Sequence, residues 1–250
     1  MAQEAELIRR IEDLAAQCER KNTVTHTQFL TPAEQYVLRQ WYSTHPYFRM
    51  TIGCGIDECE RNVAAILPEW MDDETGVYDS FLGCVMITAG FGEPGHRDYL
   101  GSILGLGIKR EWIGDILIDG SNAYVICEKS VIPTILRELT HVSRYGVKCQ
   151  EMELGEVPQP EHKVKTISFT VQSCRFDTVV GAVFGMSRSA AVKLIKGGLA
   201  TLNYQECLKV DAEVDEGDVI SLRGHGKAVM KEFSGKSKKG RTFVVFERYI

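Results

Sequence analysis

Apolar residues recur at three- and four-residue spacing near the start of the chain. Leu7, Ile8, Ile11, Leu14, Ala15 and Cys18 share one face and predict an amphipathic helix over residues 4–20. Thr31-Pro32-Ala33-Glu34 reads as a capping box with proline at the first helical position, opening a second helix that runs to about Tyr42 and breaks at Pro46. The period then shortens. FRMTIGCG (48–55) and VAAILP (63–68) read as strands, IDECERN (56–62) as a helical turn between them, and EWMDDETGVYD (69–79) as an acidic loop.

From residue 81 the pattern alternates clearly. FLGCVMITA is an apolar strand, RDYLGSILGLG (97–107) a helix, IGDILIDG and AYVICE a hairpin around a tight turn, IPTILRELTHV a helix capped by Ser130, and RYGVKCQEMEL a final strand. The order is β-α-β-β-α-β, that of a ferredoxin-like domain and also of an RRM. An RRM stacks bases on aromatic residues of its central strands, and here only Phe81 and Tyr124 are available. A ferredoxin-like scaffold with some other contact face is the better reading. Gly101, Gly105 and Gly107 match neither a dinucleotide loop nor a P-loop and read as a helix stop.

GEVPQPEHKVK (155–165) reads as a linker, and TISFTVQS as a short strand after it. The expected organisation is α+β: an N-terminal helical and mixed region (1–80), a ferredoxin-like domain (81–155), a linker with a short strand (156–172), and a small α/β domain (173–250). In that last part, helices at about 176–184 and 187–197 are joined by Gly185-Met186-Ser187, with Ser187 a good N-cap. On the second helix, Ala191, Leu194, Ile195 and Gly198 fall on one face, and Ser189, Lys193 and Lys196 on the opposite one. LATLN and DVISLRG follow as strands.

Charge sharpens this picture. The net charge of −5 argues against a polyanionic partner, but its distribution does not. From Lys163 onward there are 15 Lys and Arg against 9 Asp and Glu, net +6; the remainder, 14 basic and 25 acidic, is net −11. A basic end on an acidic body is the footprint of a nucleic-acid contact. Arg175, Arg188, Lys193, Lys196, Arg223 and Lys227 are the candidate phosphate ligands. Lys236, Lys238, Lys239 and Arg241 form a basic turn before the last apolar strand.

The 8 cysteines form no CxxC pair, and they read as small buried thiols of a reducing compartment; Cys54 and Cys59 are close in sequence but lack the spacing of a zinc site. No apolar run is long enough to span a bilayer, and the first ten residues lack a signal-peptide core, so the expected location is the cytoplasm. No cofactor, metal or membrane partner is expected.

The segment Arg175-Phe176-Asp177, Ser187-Arg188 with Ala191, Leu194-Ile195 and Gly198, then Leu202-Asn203 and Gly217-Asp218-Val219-Ile220, resembles the RNA-binding domain named after small-subunit ribosomal protein S-four. The resemblance covers about 50 residues and departs at Phe176 and Leu202, both still apolar. It implies an RNA face of Arg175, Ser187, Arg188, Lys193, Lys196 and Asn203, with Asp177 orienting Arg175 or capping its helix. Upstream, HRDYLGSILGLGIKREWIGDILI (96–118), followed by the linker and VQSCRFD, resembles the YlmH family of bacterial proteins. That resemblance implies binding to the large ribosomal subunit, with rRNA and tRNA in reach, in rescue of stalled subunits. Lys109 and Arg110, with His96 and Arg97 at the other end of their helix, are candidate secondary RNA contacts that this resemblance favours, and Lys238 and Lys239 of the basic turn are two more. One departure is His225, where relatives carry an aromatic residue. The rival class is an RNA-modifying enzyme, a pseudouridine synthase or methyltransferase. Arg175-Phe176-Asp177 superficially resembles a synthase motif but belongs to the RNA-binding helix, and no methyltransferase glycine loop is present.

Overall fold

Helix α1 (Ala2–Lys21) forms where the apolar spacing predicts it, and it buries Leu7 and Ile11 in a cluster with Leu30, Leu38 and Ala64. The computed structural model describes residues 2–71, 74–159, 164–236 and 241–249. They form two units, Met1–Pro160 and Glu161–Ile250.

In the first unit, β1 (Thr25–His26) precedes α2 (Pro32–Thr44). The predicted capping box is formed: Glu34 N donates to Thr31 Oγ1 at 3.3 Å, and Thr31 N donates to Glu34 Oε2 at 2.7 Å. Strands β2 (Arg49–Gly53) and β3 (Val63–Leu67) complete an antiparallel sheet in the order β1-β3-β2, with β3 buried throughout. The segment 56–62 is not a helical turn as expected but a run of bends and turns. Cys54 and Cys59 are joined there by a disulfide, which corrects the reading of all cysteines as thiols. The short loop brings the two sulfurs together, and a local bridge of this kind leaves no periodicity in the sequence.

A second sheet contains β4 (Leu82–Ala89), β5 (Ile113–Asp119), β6 (Asn122–Glu128), β7 (His141–Val142) and β8 (Tyr145–Met152). Its order is β5-β6-β4-β8-β7, with every pairing antiparallel. Helix α3 (His96–Gly105) lies between β4 and β5 in the chain, and α4 (Ile132–Glu138) between β6 and β7; the helix expected to run through Val142 ends at Glu138, because His141 and Val142 pair with β8 instead. Ser130 does not cap α4: a 3-10 turn over Lys129–Val131 leads into it, and Val131 is the N-cap without a side-chain bond. Pro133 in the first turn of α4 has no N–H to be capped, which reduces the demand for such a bond.

Alternation sends the sheet's side chains to two buried faces. Val85, Ile87, Ala123, Val125 and Cys127 pack with Tyr99, Ile103, Ile132 and Ile135 of the helices. Cys84, Tyr124 and Ile126 face the other way and pack with Phe29, Cys54, Val63 and Leu154. The N-terminal region thus covers the second face of this sheet and forms one unit with it. Phe29 lies so close over Gly114 that a Cβ there would overlap its ring. Arg61 ties the two parts further, donating through Nη2 to Phe29 O at 2.8 Å and through Nε to Ile113 O at 3.3 Å.

The second unit starts with β9 (Val164–Val171), then α5 (Phe176–Val183), α6 (Arg188–Lys196), β10 (Ala200–Leu202), β11 (Gln205–Glu206), β12 (Val219–Leu222), β13 (Gly226–Lys236) and β14 (Thr242–Tyr249). The sheet order is β11-β10-β12-β13-β14-β9, so the strand read as following the linker closes the far edge against β14. Phe176, Val179, Val180 and Val183 of α5, with Ala191 and Ile195 of α6, pack on Ile220, Leu222, Met230, Val244 and Phe246. Each large apolar side chain fully buried in this way contributes roughly 1.5–3 kcal/mol.

Candidate nucleic-acid interface

Helix α5 is anchored from its first residues. Phe176 N donates to Ala212 O at 2.8 Å and Asp177 N to Val210 O at 2.9 Å, so the start of the helix is stitched to the segment before β12. Phe176 is fully buried, and the residue after it is carried inward as well. Asp177 is 2% exposed, an unusual place for a carboxylate. Gly185, at φ +69°, lets the chain reverse, and Ser187 then caps α6 by accepting from Ala190 N at 3.2 Å.

That reversal carries Arg188 back over α5. Arg188 donates through Nε and Nη2 to one oxygen of Asp177, at 3.0 and 2.8 Å. Thr178 Oγ1 donates to the other oxygen at 3.1 Å, and Arg175 Nε lies 3.6 Å from it. Burial acts to raise the Asp177 carboxyl, but the hydrogen bonds from Arg188 and Thr178, with the charge of Arg188 and the nearby Arg175 guanidinium, outweigh it and hold the group below its ordinary range. One buried carboxylate is therefore hydrogen-bonded to Arg188 and ion-paired with Arg175, and both side chains remain partly exposed. Arg188 is 60% exposed and Arg175 38%.

Lys193 and Lys196 are exposed on the last turns of α6, and Ser187 at its start is exposed too. Arg223 is exposed just beyond β12. Lys227 is partly covered, with its ammonium 4.5 Å from the centre of the Tyr249 ring. His225 is exposed and meets the buried Phe184 at 6.3 Å and 61°. Arg248 joins this group although the sequence reading missed it. Its guanidinium lies 5.2 Å from the Phe184 ring centre and donates to His225 O at 3.0 Å. It sits in the last strand, 65 residues from Val183, whose carbonyl it also reaches. No local pattern announces a partner at that distance.

Asn203 stands apart from the other candidates. It is 8% exposed, at φ +51°, and forms with Tyr204 (φ +66°) the two-residue turn between β10 and β11. Its Nδ2 donates to Asp218 Oδ1 at 2.8 Å, and its Oδ1 accepts from Val219 N at 3.0 Å. The side chain is turned inward, bonded to Asp218 and to the start of β12, and is largely buried.

In the first unit, His96 and Arg97 are exposed at the start of α3. Lys109 is exposed beyond its end, 5.9 Å from the Trp112 ring centre. Arg110 is directed inward, donating to Ile113 O and, at 3.3 Å, to Gly114 O. Burial, then the charge of Arg61, lowers its pKa. It binds backbone carbonyls of β5 rather than presenting its charge to solvent. Lys238 and Lys239 lie outside the described residues. Tyr124 is 7% exposed and, with Phe81, packs under the N-terminal region, so the sheet face on which an RRM stacks bases is covered here.

Among the described residues no group of three or more His, Cys, Asp or Glu could hold a metal ion, and no single helix is long and apolar enough to cross a membrane.

Residues 78–156 match a family model described as "Putative RNA-binding domain in YlmH". The chain is similar to Ribosome-associated protein quality control protein P2 of Bacillus subtilis, 29% identical over 222 residues that span 89% of this chain and 86% of that protein. Among solved structures it is similar to cell division protein YlmH from Streptococcus pneumoniae, at a TM-score of 0.50 and 19% identity, covering 62% of this chain and 90% of that one. At that identity the likeness speaks to the fold alone. The β4–β8 sheet with its two helices is accordingly the part of the chain that matches this family model, over residues 78–156.

Proposed function

We propose that this chain is a cytoplasmic RNA-binding protein that associates with the large ribosomal subunit, with rRNA and tRNA in reach, and serves the rescue and quality control of stalled ribosomes. It acts by binding and needs neither cofactor nor metal. The observation that carries the reading is the paired guanidiniums of Arg175 and Arg188, held by the buried Asp177 beside the exposed Lys193 and Lys196. A guanidinium fixed in orientation by a carboxylate retains free donors and loses little entropy on meeting a phosphate. Phosphate contacts of this kind position an RNA, and its shape supplies specificity.

Two further facts support the reading. The first unit contains the match to an RNA-binding family model, and the similar Bacillus protein is named for ribosome association. The order of elements in 82–152 favours a ferredoxin-like layout. The two helices on the sheet of 164–249 favour an S-four-type one. On that basis Arg175, Ser187, Arg188, Lys193, Lys196, Arg223 and Lys227 contact RNA in the second unit, and Asn203 holds the turn that frames them. His96, Arg97 and Lys109 are the secondary contacts.

The test is co-sedimentation with intact ribosomes, free small subunits and free large subunits at moderate salt. Selective migration with the large subunit is the expected result, and its loss in the double variant Arg188→Ala, Lys193→Ala would assign the α6 face. Reproducible appearance of a modified nucleotide in RNA incubated with the chain would overturn the binder in favour of an enzyme.

A further inference from the structure

One face of the β4–β8 sheet offers no stacking platform, because Phe29, Cys54 and Leu154 lie over it. Its accessible aromatic surface is at the end of the sheet where β4 leads to α3 and where β8 begins. Phe91, between Gly90 and Gly92, is 67% exposed.

The turn is built to hold Phe91 where it is. Gly90 N donates to Gly146 O at 3.1 Å, tying this loop to the start of β8. Gly92, at φ +75°, passes so close to the Tyr145 ring that a Cβ would overlap it. Phe91 meets the same ring edge-on, 5.4 Å between centroids at 77°. Arg144 places its guanidinium 5.2 Å from the Tyr145 ring centre and donates through Nη2 to the Tyr145 hydroxyl at 3.0 Å. Arg144 is itself exposed. His96 and Arg97, also exposed, follow the loop directly, and Glu93 is the one carboxylate within it.

We propose that Phe91, Tyr145 and Arg144 form a stacking site for an unpaired RNA base, the base lying on Phe91 and Arg144 meeting an adjoining phosphate. The proposal rests on the reading of this chain as an RNA binder and gives the middle domain a specific part in it. The chemistry is that of single-strand recognition: an aromatic face of low conformational entropy beside a cation that pairs with phosphate. An aromatic surface beside a guanidinium, with the exposed His96 and Arg97 following in the chain, is complementary to a nucleotide, which offers a π face and a negative charge together. This is a different place from the strand positions an RRM uses. It lies at the sheet's end, on the loop after β4 and at the start of β8, outside the covered face.

The experiment uses the full chain and fluorescently labelled single-stranded oligoadenylate and oligouridylate decamers. Phe91→Ala should weaken binding by roughly five- to a hundred-fold with an unchanged salt slope, since no charge is lost. Arg144→Gln should weaken binding and lower the salt slope by about 0.7. Phe91→Trp should keep the affinity, and its added fluorescence should be quenched on binding. Because Phe91 is largely exposed, thermal unfolding of all three should match the parent. Equal affinity of Phe91→Ala and the parent, with no quench in Phe91→Trp, overturns the stacking site. If in addition the parent binds ribosomal RNA and loses it through Arg188→Ala, the wider RNA-binding reading stands and only this site falls. If the parent binds no RNA at all, both fall. Loss of ribosome co-sedimentation in Phe91→Ala with oligonucleotide binding intact would make the surface a protein contact and overturn the proposal.

Discussion

Asp177 and Arg188 are eleven positions apart in the chain, yet the guanidinium of one donates twice to a single oxygen of the other, at 3.0 and 2.8 Å. Asp177 is almost wholly buried, while Arg188 remains 60% exposed. The pair therefore couples the core of the second unit to its surface charge. Asp177→Asn keeps the shape and removes the charge. It should cost about 1–2 kcal/mol in urea unfolding, the lower part of the range for charged hydrogen bonds because solvent screens Arg188. Its RNA affinity should fall as well, through the lost orientation of Arg175 and Arg188.

The same carboxylate gives a pH signature. Its folded pKa lies below its ordinary value, so the unfolded chain takes up the proton first as pH falls. The stabilisation is fully present above about pH 5 and is lost progressively below the ordinary carboxylate value of about 3.9. The stability difference between the parent and Asp177→Asn should be flat from neutral pH down to that point and shrink below it. A difference that grows in acid would contradict the assignment.

Lys193 and Lys196 are exposed on the last turns of α6, and unlike Arg188 neither is ion-paired with a carboxylate among the described residues. Replacing each with alanine should change stability by no more than about 0.5 kcal/mol. If each meets one phosphate of a duplex, the salt slope should fall by roughly one unit per lysine. Titrations across a range of salt concentrations measure this directly.

Asn203→Ala makes the opposite prediction. The variant loses the bonds to Asp218 and Val219 and places alanine at φ +51°. Stability should fall by about 2 kcal/mol, while the folded protein should keep the parent's salt slope. A reduced slope with unchanged stability would return Asn203 to the RNA face.

Cysteine labelling tests the first unit. Denatured protein without reductant should take up alkylating agent at the 6 free cysteines, and at all 8 after reduction. Closing so short a loop constrains the unfolded chain, so reduction should lower the unit's stability by about 2 kcal/mol. Equal labelling with and without reductant would show Cys54 and Cys59 to be thiols.

How far the sequence can be read depends on the range over which each feature is determined. Helix α1, the Thr31–Glu34 capping box, the order of β4, α3, β5, β6, α4 and β8, and the Gly185–Ser187 reversal were all legible, because each is set within a few residues by apolar period, a cap or a permitted φ; the short β7 was not. The basic character of the second unit was legible too, since charge is counted without knowing the fold. Which charges are free was decided only in three dimensions. Arg110 and Lys109 are neighbours, yet one is bound by carbonyls of β5 and the other is exposed. Asn203 lies in the same motif as Lys196, yet it is turned inward by a carboxylate fifteen residues away. Phe91 and Tyr145 come together only when β8 pairs beside β4. Local spacing says which face a side chain is on. Whether that face meets solvent, a carbonyl or another ring depends on long-range pairing, and a single sequence carries no periodic record of it.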